Sequence, residues 1–188
     1  MRFSIRPSVT LPPLKLRYLA PLVLLAGSAQ GQFAFQASLT PDITLHGWNT
    51  EIWGLSICVW GENPQKGLAV GMVNGSDGHS QGFSWSLFVN YAESYTGVAI
   101  APVNICDDVF VGWQLGVVNI SNMDLTGLQT GAVNVGEDIH GFQIGLVNYA
   151  DMLSGVQIGL VNIAQNNGWF DEFPDKLATG FPIVNWSF

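Results

Sequence analysis

The sequence predicts an all-β, repeat-built fold: an antiparallel up-and-down β-barrel of about ten strands of the outer-membrane type, with a β-solenoid of short coils as the alternative. Three observations carry this expectation. First, the dipeptide Val-Asn recurs along the chain, its amides falling at Asn74, Asn90, Asn104, Asn119, Asn134, Asn148, Asn162 and Asn185. The usual step is about 14 to 16 residues, with one longer gap before the last copy. A unit that short is one strand with its turn, or one coil of a solenoid, and not a domain. Second, apolar residues inside each unit fall at every second position, the period of a strand and not of a helix. Third, Gly opens each unit and often recurs within it, where it marks the close approach of another backbone.

The elements follow in chain order. Residues 1–31 read as a signal peptide: Arg2, Arg6, Lys15 and Arg17 form a basic start, and positions 18–27 (YLAPLVLLAG) are an apolar run too short to span a bilayer. Small residues at Ser28, Ala29 and Gly31 set the expected cleavage near Ala29 or Gly31, and the absence of Cys there argues against a lipid-modified N-terminus. Beyond this segment only Lys66 and Lys176 are basic, whereas every acid lies between positions 42 and 175. The mature chain is therefore strongly acidic, which excludes nucleic acid as a partner, because phosphate contacts need Lys and Arg. Residues 32–53 form an N-terminal strand region. Residues 54–188 form a single β-repeat domain with an insertion at 166–179, rich in aromatic and acidic residues, before the last strand.

The fullest unit is 155–164 (GVQIGLVNIA), preceded by 141–150 (GFQIGLVNYA), 127–136 (GLQTGAVNVG) and 112–121 (GWQLGVVNIS). Earlier copies are more worn: 54–61 lacks the Asn, and 82–92 carries one extra residue. Strict alternation places Val156, Ile158 and Leu160 on one face and Gln157, Gly159 and Val161 on the other. Asn tolerates left-handed φ and bonds within its own turn, so it is expected to end each strand. Three residues later stand Asp77, Glu93, Asp107, Asn122, Glu137, Asp151 and Gln165. These read first as turn closers that accept a backbone N–H. The weaker reading makes Asp77, Asp107, Glu137 and Asp151 ligands of a divalent cation, with calcium as the alternative to having no cofactor.

The choice between barrel and solenoid rests on length, alternation and charge. A ten-residue strand tilted near 45° rises roughly 23 Å, the height of an outer-membrane apolar band. Large aromatics follow the leading Gly in every second copy, at Phe83, Trp113, Phe142 and Phe181, as expected if odd and even strands run oppositely. Stacked coils would bring the acids within about 5 Å, at about 1 kcal/mol per contact even in water. A barrel divides them between two rims, Glu93 and Asp151 on one and Asp77, Asp107 and Glu137 on the other. Equally short loops and repeated Asn, Gln and Gly at fixed positions favour the solenoid instead. At the C-terminus Phe188, Trp186 and Val184 alternate with Ser187, Asn185 and Ile183, which resembles the sorting strand of bacterial outer-membrane barrels.

The unit GVQIGLVNIA resembles the GLVN-type surface-repeat proteins of spirochaetes and other Gram-negative bacteria, over 54–164 and the terminal PIVNWSF. The resemblance implies export, placement at the outer membrane or cell surface, and no assigned reaction. No catalytic constellation accompanies it. His46, His79 and His140 are isolated, and no nucleophile elbow, phosphate loop or dinucleotide fingerprint occurs. Asp107-Asp108 and Glu137-Asp138 read as solvated turns, and Cys58 and Cys106 as small buried thiols. The expectation is a non-enzymatic exported β-repeat protein with a structural or interaction role, in contact with outer-membrane lipid. The alternative is a periplasmic or secreted solenoid that serves as an adhesin or scaffold. The sequence leaves its protein or surface partner unidentified.

Overall fold

Each repeat is one coil, and the coils stack in parallel into a β-solenoid of about seven turns. The computed structural model describes residues 33–188; the expected signal peptide lies outside the described residues. The strands are β1 (Phe33–Thr40), β2 (Ile43–Thr44), β3 (Ile52–Gly61), β4 (Lys66–Ile100), β5 (Val103–Cys106), β6 (Phe110–Leu115), β7 (Val118–Thr130), β8 (Val133–Ile144), β9 (Val147–Ala164) and β10 (Gly180–Ser187). Pairing follows the repeat: Gly112 lies beside Gly127 and Gly127 beside Gly141, while Asn104, Asn119, Asn134 and Asn148 lie in one row. Like residues therefore stack one rung apart, about 4.8 Å.

The antiparallel barrel is overturned by these parallel registers, and each argument for it fails for a physical reason. The ten-residue unit is not one straight strand. It bends near Gly116 and Val117 into two walls, so its length does not measure a membrane. Wall 1 carries the residues after the leading Gly, such as Trp113 and Leu115. Wall 2 carries Val118 to Ser121 and its counterparts. The corner shifts the alternation by one, so Val118, Val147 and Val161, placed by strict alternation on the Gln face, point outward while the Asn beside each is buried. The two-copy aromatic period also fits parallel stacking. At about 4.8 Å per rung, bulky rings crowd on adjacent coils and fit better when a smaller side chain separates them.

The acids form one edge, not two rims. Asp77, Glu93, Asp107, Glu137 and Asp151 are all exposed, and the column dilutes its own charge with amides. Asn122 follows Asp107 and donates to its Oδ1 at 2.8 Å. This edge also absorbs the variation in coil length: the register shift between β7 and β8 falls between Ser121 and Asp124. Asn does not end a strand. It lies within strands and is buried, and among the described residues the positive-φ non-glycine residues are Phe170 and Ile183.

The interior is narrow and largely polar. Wall 2 contributes the Asn column and the small residues Ala92, Cys106, Ser121, Gly136 and Ala150, whereas wall 1 contributes Gln114, Gln129, Gln143 and Gln157. One apolar column, Tyr95, Phe110, Leu125, Ile139 and Leu153, fills the polar-edge end, with buried members worth roughly 1.5–3 kcal/mol each. Close packing explains the leading Gly. Gly127 has φ 139°, and a Cβ there would sit 2.0 Å from the carbonyl oxygen of Gly112.

Both ends are covered. At the N-terminal end β1 pairs in parallel with β3, and β2 folds back on β1. At the C-terminal end β10 runs antiparallel to β9. The 166–179 insertion then lies along the outer edge of β10, where Leu177 N–H donates to the Trp186 carbonyl and Phe188 N–H to that of Asp175. Solenoids need such caps because an open coil edge is a template for another chain.

Candidate interaction surface

A narrow polar interior forces the larger apolar side chains outward, and this produces the most distinctive surface of the molecule. Inside, every Asn from Asn90 to Asn148 donates its Nδ2 to the Oδ1 of the next Asn in the row, at 2.7–3.0 Å. From Asn104 onward, a second Nδ2 bond reaches a carbonyl in the next coil, as from Asn134 to Ile144. Gln129, Gln143 and Gln157 donate Nε2 backwards, each to the Oε1 of the preceding Gln, at 2.7–2.8 Å. The two ladders thus point their amide dipoles in opposite directions along the axis. Apart from one end of the Gln ladder their polar atoms are satisfied, which removes most of the cost of burying them. The Gln ladder ends at Gln157, whose Oε1 has no partner.

Asn74 lies outside this row because the extra residue of the 82–92 copy falls between it and Asn90. Ser84 bridges the gap: its hydroxyl accepts from Asn74 Nδ2 and donates to Asn90 Oδ1, both at 2.9 Å. Asn185 is buried in the cap and bonds Ala178. Beside Ser84 a cavity of about 30 Å³ is lined by Cys58, Asn74, Ser76, Ser80 and Tyr95 among others, space for one or two waters by volume. Cys58 and Cys106 are unpaired and buried. Burial pushes the Cys58 thiol up and that of Cys106 to about 11.

Outside, wall 1 has two columns. One runs Leu55, Leu68, Phe83, Val98, Trp113, Leu128, Phe142 and Val156, and continues on β10 as Trp186. The other includes Ile57, Val70, Ile100, Leu115, Thr130, Ile144 and Ile158. From Phe83 onward large and small alternate: Phe83, Trp113 and Phe142 are exposed, whereas Val98, Leu128 and Val156 are half-buried between them. The valley over Ile100, Ala101 and Pro102 is a groove of about 380 Å³, flanked by Trp85 and Leu87 on one side and Leu115 and Val117 on the other. No charged residue stands in either column. Ionisable side chains border the wall: His140 with Asp138 at the start of a coil, the Lys66–Glu51 pair near the N-terminal end, and Asp175 and Lys176 of the insertion beside β10. The acids of the repeat lie on the polar edge, the turn that leads into wall 1.

The residues singled out from sequence are therefore separated. The Asn residues are interior. Asp77, Asp107, Glu137 and Asp151 stand on the polar edge, and among the described residues no group of three His, Cys, Asp or Glu side chains converges as a metal site. Val184, Trp186 and Phe188 lie on or beyond the capping strand: Trp186 donates to the Pro174 carbonyl, and Phe188 is 76% exposed. Sequence reasoning missed the Trp60–Tyr91–Glu62 chain on wall 2. There Trp60 Nε1 donates to the Tyr91 hydroxyl, which donates to Glu62. Burial first, then the Glu62 carboxylate, pushes the Tyr91 pKa up to about 12. Tyr91 lies where a Cβ on Gly75 would be, so the worn Gly75 of that copy is the signal that marked it. Comparisons with protein-family models, curated proteins and solved structures returned no match for the chain.

Proposed function

We propose that this chain is an exported, non-enzymatic β-solenoid of the cell surface, a scaffold that binds through wall 1. The single observation that carries the reading is the apolar wall, whose columns hold no charged residue while the acids of the repeat gather on the polar edge. Monomeric soluble proteins rarely leave a contiguous apolar face of several hundred Å² uncovered, and larger ones mark interaction sites. The basic and apolar pattern of 1–31 and the resemblance to GLVN-type repeats support export and surface placement. The interior supports a structural role, since its amides are engaged in ladders and its thiols are held protonated. No cofactor enters the proposal, and nucleic acid is not a partner because the mature chain is acidic.

Fractionation of a Gram-negative host that expresses the full chain tests this reading. The expected result is protein recovered outside the cytoplasm with an N-terminus near Ala29 or Gly31, and accessible on intact cells to a protein-labelling reagent. Protein retained in the cytoplasm with Met1 intact would contradict it.

A further inference from the structure

We infer that wall 1 is covered by a second copy of this chain, in a closed two-fold dimer; the inference rests on the reading of wall 1 as the binding face. Three features of the wall point to this occupant. The first is relief. Rings stand up on every second coil, about 9.6 Å apart, and the coils between them are valleys. A partner that fits this surface needs ridges of the same period, and another copy of the wall has them. A two-fold axis lying in the interface parallel to the strands of the wall, and passing midway between a ring coil and a valley coil, sets each ring opposite a valley. An open groove of about 380 Å³ beside Trp85 and Leu115 marks the corner-side margin of the wall.

The second feature is charge. Copies of a chain with this acid excess repel one another, but the acids of the repeat are on the polar edge and no charge stands in the columns of wall 1. Face-to-face pairing through wall 1 therefore leaves the acidic edges in water. The third is area. At about 4.8 Å per rung and about 3.3 Å per residue, the wall covers roughly 35 by 18 Å, or about 630 Å² in plan and more with its relief. A stable complex uses about 800 Å² per partner. The capped ends leave lateral pairing as the available route, and a two-fold contact closes on itself and does not grow into a fibre.

Sedimentation of the full chain, with and without Phe142→Glu plus Ile144→Glu, tests the inference. Both side chains point outward, so the double variant keeps the interior intact. Met152→Glu on the polar edge is the control. The expected result is twice the chain mass for wild type and control, and a monomer for the double variant with an unchanged circular dichroism spectrum and melting point. A wild-type monomer at tens of micromolar, an open-ended series of oligomers, or a dimer that survives the double substitution would overturn it. Flotation with phosphatidylethanolamine–phosphatidylglycerol vesicles separates this failure from that of the parent reading. A monomer that floats, and loses flotation in the double variant, overturns the second copy but keeps wall 1 as a binding face. A monomer that neither pairs nor floats overturns both.

Discussion

Replacing Gln143 with Leu removes the middle of an amide ladder. It leaves Gln129 Oε1 and one Gln157 donor without partners, each at about 1–3 kcal/mol. Each substitution also removes one bond to a carbonyl, at Tyr149 or Ile163, but within the ladder Gln157→Leu strands Gln143 Oε1 alone and deletes an acceptor that is already unpaired, so urea unfolding is expected to show the larger loss for Gln143→Leu. The glycines divide in the same way. Gly127→Ala meets both a φ of 139° and a carbonyl at 2.0 Å, and soluble expression should be lost. Gly136→Ala meets the Ile139 side chain and no backbone closer than 3.8 Å, at a position where neighbouring coils carry Ser121 and Ala150, and should cost about 1–3 kcal/mol while leaving the fold intact. Tyr91 adds a pH dependence. Its folded pKa, near 12, is above the ordinary 10, so its contribution is complete below pH 10 and is lost as pH rises through 12. Tyr91→Phe should flatten the fall in melting temperature over that window. At this scale the repetition of Asn, Gln and Gly was legible in the sequence, but the place of Asn was not. An amide that ends a turn and one that joins a ladder look alike locally, because the ladder partner lies a whole coil away.

The capping elements decide whether the stack stops. A chain ending at Gln165 loses β10 and the 166–179 insertion and leaves the edge of β9 open. Light scattering is expected to show that this truncation associates end to end, whereas the full chain does not. The period-two pattern made the strands legible, and the shortened last copy was legible as a strand. The corner at Gly116–Val117 was not. It carries no Pro, Asn or Asp signal, and its backbone groups are satisfied by adjacent coils, as when Val117 and Val118 both donate to the Pro102 carbonyl. The antiparallel direction of β10 was also hidden, since alternation in PIVNWSF reads the same both ways. The groove at the corner-side margin of wall 1 depends on which side chains neighbour one another across coils, and that requires the register.

The whole molecule inverts the usual distribution: amides are laddered inside and aromatic and aliphatic side chains stand outside. The coil is too narrow for two facing layers of large side chains, so one apolar column and two polar ladders fill it. An outward-facing apolar surface is also what a membrane barrel would show, and for that reason composition and alternation alone suit both folds. Only the direction of neighbouring strands separates them, and a distance across the repeat reads it. Spin labels at Asp107→Cys and Asp151→Cys, with Cys106→Ala and Cys58→Ala to leave no other thiol, sit on exposed edge positions. Parallel coils place these backbones three rungs apart, about 14 Å, and dipolar spectra should show a separation below about 20 Å. Opposite rims of an antiparallel barrel lie at least about 23 Å apart, and a distance of about 25 Å or more would contradict the solenoid.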